Sequence, residues 1–247
     1  MKFASPSVLK KQGILGMNAR NFSYIAAANK RELYPRVDDK METKRLALDE
    51  GLAVPDLICC VGYNHQLKKM HEILSKYEEF VVKPTKGCAG KGIIVIKGRN
   101  EEGYVKASGS VVPFIEMNRH VSSILTGLHS LGGQPDRAMF EKLVHFTETF
   151  NNFTYQGVPD IRVILFKGYP VMAMTRLSTH ASDGKANLHQ GAVGVGLSIK
   201  TGKAMSAVQH NLPIEKHPDT GLVLKELIVP DWQQLLLLAS RSYEVSG

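Results

Sequence analysis

Apolar residues in this chain recur with the periods of both helix and strand, separated by turn-forming residues. The first residues, to about Val37, mix Gly13, Gly16, Asn18, Asn21 and Asn29 with little periodicity; they predict an irregular lead-in with one helix near residues 22–28. Asp39, with Glu42 three residues on, is an approximate capping box, and Gly51 marks a stop, so a helix is predicted between them. Val54-Pro55 then sends the chain extended. Asn64 is placed to cap a second helix with Leu67, Met70, Leu74 and Tyr77 on one face. Residues 80–82 and 93–96 are short β-branched and aromatic runs that predict strands, whereas residues 100–110 are rich in Gly, Ser and charge and predict a loop. Met117, Val121, Ile124, Leu125, Leu128 and Leu131 mark a third helix, stopped by Gly132-Gly133-Gln134-Pro135.

Residues 138–144 predict a strand and 151–159 a loop. Residues 161–166 and 169–174 flank Lys167-Gly168 and predict a hairpin. From Arg176 to Gly196 the chain is polar and punctuated by glycine, far longer than an ordinary connection, with a strand-like run at 192–199. A last helix is predicted from Asp231, with Trp232, Leu235, Leu236 and Leu238 partly buried. There is no internal repeat.

Chemistry concentrates between the two strands at 80–82 and 93–96. Gly87, Gly90 and Gly92 leave backbone N–H groups uncovered, and Lys83, Lys86 and Lys91 add positive charge to the same turn. Exposed amides with ammonium groups suit a polyphosphate. The spacing G-x-x-G-K-G followed by a strand is neither the phosphate loop G-x-x-x-x-G-K-[ST] nor a dinucleotide fingerprint, both of which lead into a helix. A basic hairpin with a flexible turn is the plainer alternative. In the long polar stretch, Arg176, Lys185, Asn187 and His189 stand out; His189 is a candidate base or metal ligand, or an ordinary hydrogen-bonding loop residue.

A length of 247 residues fits one large or two small domains, with 43% hydrophobic and 22% charged residues as in ordinary globular proteins. The net charge of +8 favours anionic ligands. Cys59, Cys60 and Cys88 make no disulfide framework and no zinc spacing, which points to a reducing cytoplasm. No run is long and apolar enough to span a membrane, and the N-terminus has Lys2, Lys10 and Lys11 but no hydrophobic signal core.

Most of the chain resembles ATP-grasp ligases, and specifically the RimK-type alpha-L-glutamate ligases. The resemblance lies in Leu33-Tyr-Pro-Arg-Val-Asp-Asp-Lys40, Thr43-Lys-Arg-Leu-Ala47, Val82-Lys-Pro84, Gly90-Lys-Gly92, Val158-Pro-Asp-Ile-Arg-Val163, Pro170-Val-Met-Ala-Met174 and Ser182-Asp-Gly-Lys-Ala-Asn-Leu-His-Gln-Gly191. It implies an α+β ATP-grasp fold in which two subdomains clamp ATP under a glycine-loop lid. The expected layout is a lead-in at 1–37, one subdomain at 38–139 and a second at 140–247. Lys40 and Lys83 match the phosphate lysines. Lys86, Gly87, Gly90, Lys91 and Gly92 belong to the lid. Phe140, Glu141, Lys142 and Leu143 match the adenine-reading hinge, and Asp160 a ribose or nucleotide contact. Arg162, Arg176, Lys185 and Asn187 are the residues expected at the reacting phosphate. Arginine suits that task because its guanidinium stays charged and binds oxygens in pairs.

The implied reaction joins an amine, glutamate by the family default, to a carboxylate of a peptide, protein or small molecule, using ATP and Mg2+. The family's magnesium ligands, an Asp and a Glu-x-Asn pair, would lie beyond Gly247, so no metal ligand is assigned and the fold is expected to lack its C-terminal end. Two other classes stay open: a catalytically inactive nucleotide-binding ATP-grasp module acting as sensor or scaffold, and a nucleic-acid-binding protein. The latter is disfavoured because no aromatic-basic stacking pattern accompanies the charge.

Overall fold

The computed structural model describes residues 5–87, 90–106, 108–145, 148–150, 152–155 and 157–247. Two compact units emerge, one of Arg36–Phe146 and one of Met1–Pro35 with Thr147–Gly247, and each contains an antiparallel sheet, so the α+β expectation holds. The division expected between residues 139 and 140 would cut a strand whose residues are held on both sides by neighbours; the first unit runs past it.

In the unit of Arg36–Phe146, strands β1 (Leu57–Val61), β2 (Phe80–Pro84), β3 (Ile94–Arg99), β4 (Gly103–Lys106), β5 (Val111–Pro113) and β6 (Ala138–Glu141) form a sheet ordered β1-β6-β2-β3-β4-β5. Helices α2 (Leu67–Leu74) and α3 (Phe114–Leu125) bring Met70, Leu74, Met117, Val121 and Ile124 into one core with Phe80, Val82, Ile96, Tyr104 and Phe140. The rings of Phe80 and Tyr104 meet edge to face at 5.2 Å. Tyr104 keeps its hydroxyl satisfied 2.8 Å from His71 Nδ1. Burial alternates along β2, so Phe80 and Val82 face this core while Lys83 faces the other side.

Helix α1 (Lys40–Asp49) is capped by Asp39, whose carboxylate accepts from Met41 N at 2.9 Å, and Gly51 closes it at φ 65°. Glu42 does not complete the box; its carboxylate takes the Arg45 guanidinium instead. Asn64 does not cap α2 either. It opens a short 3-10 turn, Asn64–Gln66, and the Gln66 side chain accepts from Gly62 N and Tyr63 N at 2.8 and 3.1 Å. Helix α3 ends before the predicted Leu131 because the chain turns at Gly127, where φ is 87° and a Cβ would stand 2.5 Å from Gln134 O. Strand β4 lies inside the predicted loop 100–110. Its place depends on Gly103, where a Cβ would meet Val112 O at 2.2 Å, and on the buried Tyr104 ring.

The second unit orders its strands β11-β10-β9-β8-β7, with β7 Asp160–Phe166, β8 Tyr169–Leu177, β9 Val193–Leu197, β10 Ala204–Gln209 and β11 Leu212–Ile214. The predicted hairpin is β7–β8, turned at Lys167 (φ 50°) and Gly168 (φ 82°). One sheet face carries Val195, Leu197, Ala204 and Ala207 into a core with Leu224, Leu227, Val229 and Trp232. Helix α4 (Trp232–Ser246) docks there: Trp232 Nε1 donates to Ile199 O at 2.7 Å, and its ring lies over Gly202. Asp231 makes no side-chain cap for α4; it turns the chain at φ 49°. Residues 5–35 are almost wholly exposed and contain a continuous helical stretch, Met17–Ala19 into Arg20–Ala26, over the predicted lead-in helix. No described helix is long and apolar enough to cross a membrane.

Replacing Trp232 with Phe should cost about 1 kcal/mol through the lost hydrogen bond, and with Ala about 3–5 kcal/mol through the emptied core. Denaturant unfolding monitored by circular dichroism reads both, and equal costs would show that the indole N–H contributes nothing.

Candidate functional site

The lower face of the first sheet, away from its apolar core, is where charge gathers. Residues opposite one another across a ladder share a face. Val81 pairs with Glu141 and Lys83 with Met139, so Lys83 and Glu141 point the same way from β2 and β6. The Lys83 ammonium contacts one Glu141 carboxylate oxygen, and Lys44 Nζ from α1 lies 2.7 Å from the other. Lys44 and Glu141 are both buried, and Lys44 also donates to Pro55 O. Lys44 lies within the matched run Thr43-Lys-Arg-Leu-Ala47, but the resemblance gives it no role. The available signal was its place four residues after Lys40, on the same helical face.

Lys40, at the start of α1, donates through Nζ to Thr85 O and Gly87 O, and its backbone N–H reaches Thr85 O at 2.9 Å. Lys40, Lys83, Lys86 and Gly87 therefore converge at the end of β2. The organiser of that corner is Asp136, which precedes β6. Its carboxylate accepts from Thr85 Oγ1 (2.6 Å), Ser130 Oγ (2.6 Å), Lys86 N (3.0 Å) and Arg137 N (2.7 Å). Burial pushes the Asp136 carboxyl up, but the bonds from Ser130, Thr85, Arg137 and Lys86 together outweigh it and hold its pKa below the ordinary value. Arg137 in turn reaches Asp39 at 2.9 Å, tying the cap of α1 to the same corner.

The far side of the glycine loop is also anchored. Gly90 and Gly92 both have φ 75°, and a Cβ on Gly92 would stand 2.7 Å from the His129 ring. His120 Nε2 is 3.0 Å from Gly92 O, and the two imidazoles lie 5.7 Å apart. Burial lowers the His120 pKa, against the raising effect of the Gly92 carbonyl. Lys91 is exposed.

The residues of the expected hinge, whose backbone and acid the resemblance assigns to adenine, lie at the end of β6. Phe140 is a core residue, fully buried in an interior strand 5.9 Å from Phe80, because the apolar core sits on its side of β6. Glu141 is held by Lys44 and Lys83. Lys142 and Leu143 follow the strand, with Lys142 Nζ 2.8 Å from Asp56 on the surface and its N–H on Asp56 O.

In the second unit, the sheet face opposite the core presents two rows. One runs Asp160, Arg176, Gly194, Val208 across β7, β8, β9 and β10; the next runs Arg162, Met174, Gly196, Ser206. Arg176 grips the Asp160 carboxylate through two nitrogens, Nε at 2.6 Å and Nη2, and this pair raises the arginine pKa. Asp160 is thus the partner of Arg176. Arg162 is exposed beside them, and the glycines at 194 and 196 keep the middle of the face low. The polar stretch before β9 folds back over this face: Leu188 packs 3.1 Å from where a Gly194 Cβ would be. Within it, Lys185 pairs with Asp183 at 3.1 Å and Asn187 donates to Gln190 at 3.2 Å, so both are engaged by near neighbours.

The family model for sugar-transfer associated ATP-grasp proteins matches residues 19–247. A search of curated proteins found no match. Among solved structures, the chain is similar to the ATP-grasp ligase PsnB complexed with minimal precursor, at 13% identity and TM-score 0.41, covering 89% of this chain and 47% of that one. It is similar to the D-cycloserine synthetase DcsG at 17% identity and TM-score 0.37, covering 87% and 72%. It is also similar to D-alanine–D-alanine ligase from Bacillus anthracis complexed with ATP, at 13% identity and TM-score 0.37, covering 98% and 75%. The chain spans about half the length of PsnB.

Asp136→Asn should destabilise the protein by about 2 kcal/mol at neutral pH, since at least one buried donor loses its acceptor. The folded-state pKa is depressed, so the carboxylate's contribution is complete above the unfolded value of about 3.9 and is lost as pH falls below it. The gap between wild type and Asp136→Asn, measured by urea unfolding, should therefore narrow on acidification below about pH 4. A gap that stays constant or widens there would rule out Asp136 as the acid-sensitive anchor.

Proposed function

The chain belongs to the sugar-transfer associated ATP-grasp family, and from that premise we propose that it is an ATP-dependent carboxylate–amine ligase. The observation that carries this reading is the meeting of Lys40, Lys83 and the glycine loop at the end of β2, with Glu141 held between Lys83 and Lys44. Two lysines on one buried carboxylate leave a net positive charge, and the glycine-rich turn follows directly after Lys83 in the chain. That is the chemistry of a phosphate site.

ATP supplies the phosphoryl group: its transfer to a carboxylate oxygen gives an acyl phosphate and ADP, and an amine nitrogen then displaces phosphate and loses a proton to leave an amide. Lys40 and Lys83 neutralise phosphate oxygens, Lys86 and Lys91 add charge at the loop, and Gly87, Gly90 and Gly92 let the backbone approach closely. Glu141 keeps Lys83 aimed. Asp160 orients Arg176, which with Arg162 meets the carboxylate and the developing charge on it. Lys185 and Asn187 lie in the segment that covers the same sheet face. Among the described residues no group of three or more His, Cys, Asp and Glu stands ready to hold a cation. Magnesium carried mainly by phosphates and water needs few protein carboxylates, so the residues present fit Mg–ATP more readily than a dedicated metal site.

The RimK-type motifs make glutamate the first amine to test. The family's association with sugar transfer makes a sugar-borne carboxylate the first acceptor, ahead of a peptide or protein.

Mg–ATP at about 100 times its Kd should raise the melting temperature by on the order of 5 °C, and Lys83→Ala should abolish the shift. An unchanged shift in Lys83→Ala would overturn the phosphate-site assignment. Amine- and carboxylate-dependent release of ADP tests the ligase step; a full thermal shift with no release across amino acids and sugar acids would make the chain a nucleotide-binding module.

A further inference from the structure

The second unit holds a cavity of about 560 Å3 lined by Leu188, His189, Ala192, Val208, His210 and Asn211. That volume is in the range of small-molecule sites, roughly 300–1,000 Å3. It lies on the same sheet face as the arginines. Val208 stands opposite Gly194, and Gly194 opposite Arg176, so the cavity floor and Arg176 occupy one row across three strands. Two strand spacings separate them by about 10 Å.

The lining has a definite chemistry. Leu188, Ala192 and Val208 are apolar, while His189, His210 and Asn211 offer ring nitrogens and an amide. None of these lining residues is Lys, Arg, Asp or Glu. Such a wall has no cation for a free carboxylate or phosphate and no anion for an ammonium. It suits a neutral ring with one C–H face for the aliphatic side chains and an edge of hydroxyls for the amide and imidazoles.

The walls are also built before any ligand arrives. His210 and Asn211 form the β10–β11 turn with φ 49° and 64°, the primed geometry of a tight hairpin. Gln209 Nε2 donates to Gly191 O at 2.8 Å, tying that turn to the opposite wall. Thr179 Oγ1 donates to the same carbonyl at 2.9 Å. At Gly191, φ is 106° and a Cβ would meet His210 Cε1 at 3.2 Å, so the approach of the two walls requires glycine. Fixed walls spare the ordering cost of binding.

We propose that this cavity seats the pyranose ring of a sugar acid, with Leu188, which packs over Gly194, against the ring and the carboxylate leaving on the side of the cavity that faces Arg176. The inference rests on the ligase reading above and names its acceptor: the ring is recognised at His189, His210 and Asn211, and the carboxylate emerges beyond Leu188, on the Arg176 side. An aliphatic dicarboxylate has the anion but nothing for the cavity to hold.

Saturation-transfer NMR on the full chain with Mg–ADP tests this, using D-glucuronate and D-galacturonate as probes and glutarate as the ringless acid. Signal from at least one uronate and little from glutarate is expected. His210→Asn and Asn211→Gly keep the left-handed turn available and should each weaken uronate binding on the order of tenfold, about one neutral hydrogen bond. Their melting shift with Mg–ATP should stay that of wild type, which separates a lost pocket from a lost fold. Uronate signal unchanged in both variants, glutarate binding as well as the uronates, or no uronate signal while Mg–ATP still stabilises the chain would each overturn the proposal. Absence of any Mg–ATP stabilisation would instead strike the ligase reading on which it rests.

Discussion

Glu141 sets the terms for the charged face of the first sheet. A carboxylate buried beneath a sheet costs several kcal/mol unless cations and donors surround it. Here the surrounding is done by Lys44 from a helix and Lys83 from the neighbouring strand. That requirement brings α1 against this face, and docking Lys44 there carries Lys40, one helical turn earlier, to the carbonyls of Thr85 and Gly87. Lys44 alone would neutralise the anion. Lys83, more open than either partner, is the charge in excess. The arrangement that neutralises Glu141 thus also leaves a positive charge toward solvent.

The glycine loop shows how a flexible-looking sequence acquires a position. Three glycines and three lysines in a row predict mobility and charge but not where the loop is tethered. Its entry is fixed by a carboxylate fifty residues downstream, Asp136, and by the bridge between Gly87 and Ser130. Past its glycines, Gly92 is held against His129 and His120. Glycine at 92 answers two demands at once, a positive φ and the closeness of an imidazole ring. The histidines carried no motif, and only the folded α3 and the turn after it bring them to the loop.

How much was legible follows from the range of each constraint. The cap at Asp39, the stop at Gly51, the hairpin at Lys167-Gly168 and the strand–glycine loop–strand unit are local, and all can be read from neighbouring residues. Lys40 and Lys83 lie far apart in the sequence, and only the family resemblance links them there. Strands β1, β4 and β5 were missed because each is short and draws its stability from pairing, which local periodicity does not show. The Phe140 side chain goes to the core because it is a large aromatic in an interior strand, a fact that a hinge role for its backbone does not announce. The pocket at His210 and Asn211 depends on a hairpin, β10–β11, that composition did not announce.

The pairing of Asp160 with Arg176 carries the point furthest. The Lys167-Gly168 turn sets Phe166 opposite Tyr169 and Leu165 opposite Pro170. Continued without interruption, that register would face Asp160 with Thr175 and would turn the Arg176 side chain into the apolar core, because successive residues alternate faces. An irregularity between Ile164 and Leu165 absorbs one residue, so Ile164 meets Met172 and Asp160 meets Arg176. The slip moves a guanidinium from a face lined by Val195 and Ala207 to one lined by Gly194 and Val208. It also sends Thr175 inward, where its hydroxyl is satisfied by Asp160 O at 3.0 Å. A single extra residue in one strand therefore decides whether the Arg176 guanidinium lies beside Asp160 or faces the apolar core.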